Sequence, residues 1–166
     1  MSYDFLKPFV KDKEEIYSKD NNLFFPVTEK EIQEAEETLK MPFPSQLKEF
    51  YREIGYGFLT SPYNPPPDYR FCNINRISSP GTIRDILVEG QGSWFISEAT
   101  YELLEPGDLP FFEIADGSCF LLMKLNSENP NAVWDWDTKI EDSFERFIWR
   151  LYYEDPGYYG EIITAD

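Results

Sequence analysis

Leu109 to Tyr153 constrains the fold more than any other stretch: LPFFEIADGSCFLLMKLNSENPNAVWDWDTKIEDSFERFIWRLYY. Leu109 to Ala115 is an apolar run with Pro110 at its mouth, where a missing N–H is tolerated. Asp116-Gly117 follows, and Asp-Gly between apolar runs predicts a hairpin, because glycine accepts positive φ without penalty. Ser118 to Leu125 returns too continuously apolar for a half-exposed strand, which predicts a central strand covered on both faces. Ala132 to Trp136 reads as a third strand, with Val133 and Asp135 on one face and Trp134 and Trp136 on the other. Phe144, Phe147, Ile148 and Leu151 then recur at i, i+3, i+4 and i+7, so a helix lays an apolar stripe on that sheet. The expected core gathers Phe120, Leu122, Phe144, Phe147, Ile148 and Leu151, with Leu47 and Phe50 in the neighbouring helical layer.

At 166 residues the chain suits one domain with its own core, and 17% aromatic content argues against disorder. No apolar run reaches the length of a membrane span. The opening MSYDFLKPFVKDKEE has no basic-apolar-small pattern, so a cytoplasmic location is expected, with Cys72 and Cys119 both reduced. The formal charge is −16, unevenly placed: residues 85–166 carry 18 acids and 4 bases, or −14. Between Arg84 and Lys124 stand eight acids and no base. Such a surface repels phosphate backbones and anionic lipid and favours basic partners; on composition alone it equally suits a solvated, solubilising face.

In chain order, Phe5, Phe9 and Ile16 suggest a short amphipathic helix, with Pro8 limiting its start. Thr28 and Glu31 form a capping box, with Val27 and Ile32 as its staple, ahead of a helix to Lys40. Met41-Pro42-Phe43-Pro44 breaks it. A second helix runs from Ser45 with Leu47, Phe50, Tyr51 and Ile54 inward and Gly55 as its stop. Tyr56 to Leu59 is a short strand, Ser61 to Pro67 a stiff loop, and Phe71 to Ile77 another strand. Ser79-Pro80 opens a helix carrying Ile83, Ile86 and Leu87. Trp94 to Ile96 and Tyr101 to Leu104 fit helix or strand equally, and Asp155-Pro156-Gly157 turns the chain into a tail.

This order of elements resembles the SUKH superfamily of fungal Smi/Knr-type cell-wall regulators and bacterial immunity proteins. Thr28 to Glu36 looks like its first helix. Phe43-Pro44-Ser45-Gln46-Leu47-Lys48-Glu49-Phe50-Tyr51 is similar to its Leu-Pro-x-x-Leu-x-x-Phe signature, with Phe43 where leucine is usual. Gly55-Tyr56-Gly57 stands where the family often has Asn-Gly-Gly. Leu109 to Gly117, Val133-Trp134-Asp135, and Ser143-Phe144 with Phe147-Ile148 match its later strands and final helix. The resemblance covers roughly residues 25–152 and implies, for bacterial members, a cytoplasmic antidote binding a cognate toxin, frequently a nuclease. It brings no catalytic residues.

Residue chemistry points the same way. There is no histidine, hence no Ser–His or Cys–His pair, and no Cys-x-x-Cys or phosphate loop. Asp135 to Glu141 is unlike a calcium loop, since Lys139 takes a ligand position and Ile140 that of the required glycine. Asp135 and Asp137 on one side of an extended strand leave a carboxylate hydrolase as a weaker alternative. Trp134 and Trp136 are either both covered or both line an open surface. The expectation is therefore an α+β single domain, a mostly antiparallel sheet with helices packed largely on one face. It occupies residues 25–154, with an N-terminal extension over 1–24 and a short tail over 155–166. It is not an enzyme and uses no metal or cofactor. Its partner is a basic toxin domain, without nucleic-acid or membrane binding, met by Trp94, Glu98, Glu102, Glu105, Asp108, Asp116, Trp134, Asp135 and Asp137. A regulatory scaffold of the Smi/Knr kind is the alternative.

Overall fold

A computed structural model describes residues 2–11, 22–59, 73–115 and 117–165. Its sheet has seven strands that lie side by side in chain order, each antiparallel to the next. They are β1 (Leu23–Phe25), β2 (Tyr56–Phe58), β3 (Arg76–Ile77), β4 (Asp108–Ala115), β5 (Cys119–Lys124), β6 (Val133–Asp135) and β7 (Thr138–Glu141). Helices α1 (Glu29–Leu39) and α2 (Ser45–Glu53) fill the first connection. Helix α3 (Pro80–Glu89) and the single turn α4 (Glu98–Tyr101) lie between β3 and β4, while α5 (Phe144–Tyr153) and α6 (Tyr158–Thr164) close the chain. This is the expected α+β architecture.

The helix ends follow from local chemistry. The Glu31 backbone N–H donates to Thr28 Oγ1, and the Thr28 N–H donates to Glu31 Oε2 at 2.7 Å, completing the capping box. Ser79 and Ser143 hydroxyls accept from Thr82 and Arg146 N–H groups at the starts of α3 and α5. Gly55 ends α2 at φ 112°, where a Cβ would overlap the Phe25 carbonyl, so both the turn and the approach of β1 demand glycine.

A bulge in β4 sets the core. Pro110 pairs with Leu122 but Phe112 pairs with Leu121, leaving Phe111 as the extra residue. Two successive phenylalanines consequently face the same side. Phe111 meets Phe144 at 5.6 Å between ring centroids, and Phe112 meets Phe147 edge-on at 5.0 Å. Leu47, Phe50, Ile148, Leu151, Leu121 and Met123 complete this main core. Phe120 and Leu122 do not join it, contrary to expectation. They face the other side of the sheet with Ile86 and Ile96, because neighbouring residues of a strand point to opposite faces. Coverage of β5 on both faces is as expected.

Several elements depart from the sequence reading. Beyond Cys72, which lies outside the described residues, the strand expected over Phe71 to Ile77 shrinks to Arg76–Ile77, since Asn75 adopts a left-handed φ of 48°. Strand β7 follows β6 through a turn at Trp136, itself at φ 47°, so the extended run ends at Asp135. The N-terminal helix is a 3₁₀ segment over Asp4–Phe9; Ile16 and the Ser61 to Pro67 loop lie outside the described residues. Tyr3 and Leu6 are buried, with Tyr3 edge-on to Phe50 at 5.0 Å. The closing segment forms α6, and the Tyr159 hydroxyl donates to Asn75 Oδ1 at 2.6 Å. The Asn75 amide in turn donates to the Leu59 and Pro156 carbonyls, tying α6 to the entrance of β3.

Candidate partner-binding surface

The second face of the sheet carries a thin layer built from residues 86–104. Ile86 from α3, Ile96, and the half-buried Phe95, Tyr101 and Leu104 cover Phe120 and Leu122. Gly90 accepts φ 58° and lets the Tyr101 ring lie against its backbone, which turns the chain from α3 into this layer. Where the layer meets the C-terminal end of α1, a groove of about 500 Å³ opens. Leu39, Met41, Leu87, Val88, Tyr101 and Leu104 supply its apolar lining, with Glu102 and Glu105 beside them.

The acidic wall of the groove is internally braced. The buried Asp108 carboxylate accepts from the Glu105 N–H at 3.0 Å, and the Asp108 N–H donates to the Glu105 carbonyl. The Asn126 amide donates to the Pro106 carbonyl at 2.8 Å, and the Leu125 N–H to the Gly107 carbonyl at 2.9 Å. Gly107 sits at φ 92°, where a Cβ would collide with the Asn126 amide. Gln91 donates to Glu102 Oε1 at 3.0 Å. These bonds hold the 102–108 segment in one shape.

A smaller pocket of about 170 Å³ adjoins it, lined by Leu103, Glu105, Asp108, Lys124, Trp136 and Asp137. Lys124 Nζ lies 3.6 Å from Asp137 and 5.8 Å from the centre of the Trp134 ring. Trp134 and Trp136 are each half-buried, an outcome between the two alternatives that the sequence left open.

The structure thus gathers Glu102, Glu105, Asp108 and Asp137 along two adjoining cavities. Trp94, 96% exposed, and Glu98, at the start of α4, project from the same layer. Asp116 lies outside the described residues. Asp135 does not share a side with Asp137. It follows Val133 onto the helix-covered face beside Cys119, where burial pushes its carboxyl above the ordinary aspartate range. The left-handed turn at Trp136 breaks the alternation and sends Asp137 to Lys124 on the opposite face. Glu113, also in the acidic stretch, is buried in an ion pair with Arg76 and accepts from the Gly117 N–H.

Sequence reasoning missed Leu39, Met41, Leu87 and Val88. One signal was present: Ile86-Leu87-Val88 is a run of three apolar residues, wider than one buried stripe of a helix. Among the described residues no group of three or more His, Cys, Asp or Glu is placed to hold a metal ion. No helix there is long and apolar enough to cross a membrane.

The chain thus sets a helix pair between β1 and the rest of an antiparallel sheet and closes on aromatic helices, and the SMI1 / KNR4 family (SUKH-1) matches residues 26–150. The chain belongs to that family. It is 32% identical over 167 residues to the immunity protein YxxD of Bacillus subtilis (strain 168), with 100% of each chain covered. No solved structure matches significantly.

Proposed function

We propose that this chain is an immunity protein that binds a cognate bacterial toxin domain and occludes it, without turnover of its own. The observation carrying this reading is the likeness over the whole chain to an immunity protein, in a chain whose residues 85–166 carry 18 acids against 4 bases. A basic nuclease is the toxin class that fits, because an enzyme acting on phosphate-rich polymers needs a positive groove. Trp94, Glu98, Glu102, Glu105 and Asp137 form the surface presented to it. Asp108 shapes that surface from within, and Trp134 supports Lys124. The field of this layer steers the partner, an effect worth roughly 10–1000-fold in association rate at low salt.

The test is to co-purify the chain with the toxin domain encoded beside its gene and to follow association against ionic strength. Lysine replacements at Glu102, Glu105 and Asp137 are expected to slow association and flatten its salt dependence, whereas Asp135→Lys leaves the association rate unchanged. An absence of binding by the wild-type chain overturns the immunity reading. Binding that ignores both salt and the three reversals overturns the basic partner.

A further inference from the structure

Of the five large hydrophobic side chains that are exposed among the described residues, Val88, Trp94 and Leu103 all fall in the acidic layer. Val88 and Leu103 are each 61% exposed and border the two cavities. Apolar surface of this kind is stabilising only when something covers it. Among the described residues that line the groove between α1, α3 and the 102–108 segment there is no lysine or arginine, while Glu102, Glu105 and Asp108 stand in its wall. Its chemistry therefore rejects an anion and accepts a group that is apolar at its tip and basic around it.

We propose that this groove is the anchor pocket of the complex: it receives an apolar side chain carried on a lysine- or arginine-rich segment of the toxin domain. This rests on the immunity reading above and adds to it the place where the binding energy is concentrated. Two properties support the assignment. About 500 Å³ is ample room for one large side chain and its flanking backbone. The braced 102–108 wall is already in its final shape, so little ordering cost opposes binding. Charge selects the occupant. A second copy of this chain would bring a further −16 to an acidic groove, whereas a basic segment places its cations on Glu102 and Glu105 as its apolar residue enters beside Leu39 and Leu87. The carboxylates then govern the rate of encounter and the groove governs the lifetime of the complex.

Neutral substitutions separate the two roles, because they leave the steering field intact. Val88→Gln and the double variant Val88→Gln/Leu103→Gln alter exposed positions and preserve the fold, which unchanged thermal melting verifies. Wild-type chain and both variants are bound to the toxin domain encoded beside the gene, with association and dissociation rates measured separately. The expected result is an unchanged association rate and dissociation about tenfold or more faster already in Val88→Gln, whose side chain lines the groove. A loss that appears only when Leu103, which lines the smaller pocket, is also replaced overturns the groove as the anchor. Amide exchange of residues 86–91 and 101–107 should slow when the wild-type chain is bound. Wild-type dissociation rates in both variants, or protection centred instead on the exposed Trp149 and Tyr153 of α5, overturn the anchor pocket and leave the immunity reading standing. Failure of the wild-type chain to bind overturns both. A homodimer that Val88→Gln dissociates reassigns the groove to self-association and overturns the proposal.

Discussion

On one face of the sheet, Phe111, Phe112, Leu121 and Met123 meet α2, α5 and α6 in a continuous aromatic core. On the other, Phe120 and Leu122 meet Ile86, Ile96 and a layer of short turns with half-buried side chains. The first face buries whole helices, whose periodic stripes repeat the same contact over several turns. The second is covered by a connection that must also satisfy its backbone through local caps, such as Ser97 accepting from the Thr100 N–H. Stability is thereby concentrated on the helical face, while the thin layer leaves apolar and acidic groups open. A face that is cheap to cover is also one that can be shaped for a partner.

The comparison breaks most visibly if Phe147→Ala is mild. Its ring contacts Phe111, Phe112, Tyr158 and Tyr159, so truncation is expected to cost about 3–5 kcal/mol in denaturant unfolding. Phe120→Ala on the thin layer should cost less, about 3 kcal/mol at the low end of that range, because a cover of partly buried side chains can settle into the cavity. Equal losses at the two positions would mean that the layers are energetically alike. Tyr159→Phe keeps the ring and removes two bonds, the one its hydroxyl donates to Asn75 Oδ1 and the one it accepts from the Asn73 amide, and about 1–2 kcal/mol should be lost, since the buried Asn75 amide oxygen forfeits its partner. A null effect in urea titration would show that the Tyr159 hydroxyl adds nothing to the packing of α6 and the Asn75–Pro156 bond.

The smallest effect expected concerns Asp135. Burial raises its folded-state pKa above the ordinary value near 3.8, so the folded protein holds this proton more tightly than the unfolded chain. Stability from this group falls as pH rises from that ordinary value through the raised one, and the penalty persists at neutral pH. Asp135→Asn should therefore raise the melting temperature slightly at pH 7 and leave it unchanged near pH 3. A larger gain at pH 3 than at pH 7 would place Asp135 in a favourable charged contact instead of a desolvated one.

Local information determined much of this protein. The Thr28–Glu31 capping box, the Ser79-Pro80 start and the Gly55 stop mark where helices begin or end, because these residue types satisfy orphan backbone groups. The 3.6-residue spacing of Phe144, Phe147, Ile148 and Leu151 and the apolar runs around Gly117 are equally local. Net charge likewise pointed to Glu102, Glu105 and Asp108 before any contact was known. Other features exist only in three dimensions. Strand β1 is wholly apolar but only three residues long, and β7 has Ile140 as its single apolar residue, so neither run is long enough to show an alternation of its own; pairing with β2 and β6 makes them strands. The bulge at Phe111 turns Phe112 to the face of Phe111, and it is visible only in the register with β5. The groove joins Leu39 and Met41 to residues 101–108, far along the chain. Periodicity states which side chains share a face of one element. Which face meets which layer, and where two layers leave a gap, depends on long-range register and helix placement, which no local window contains.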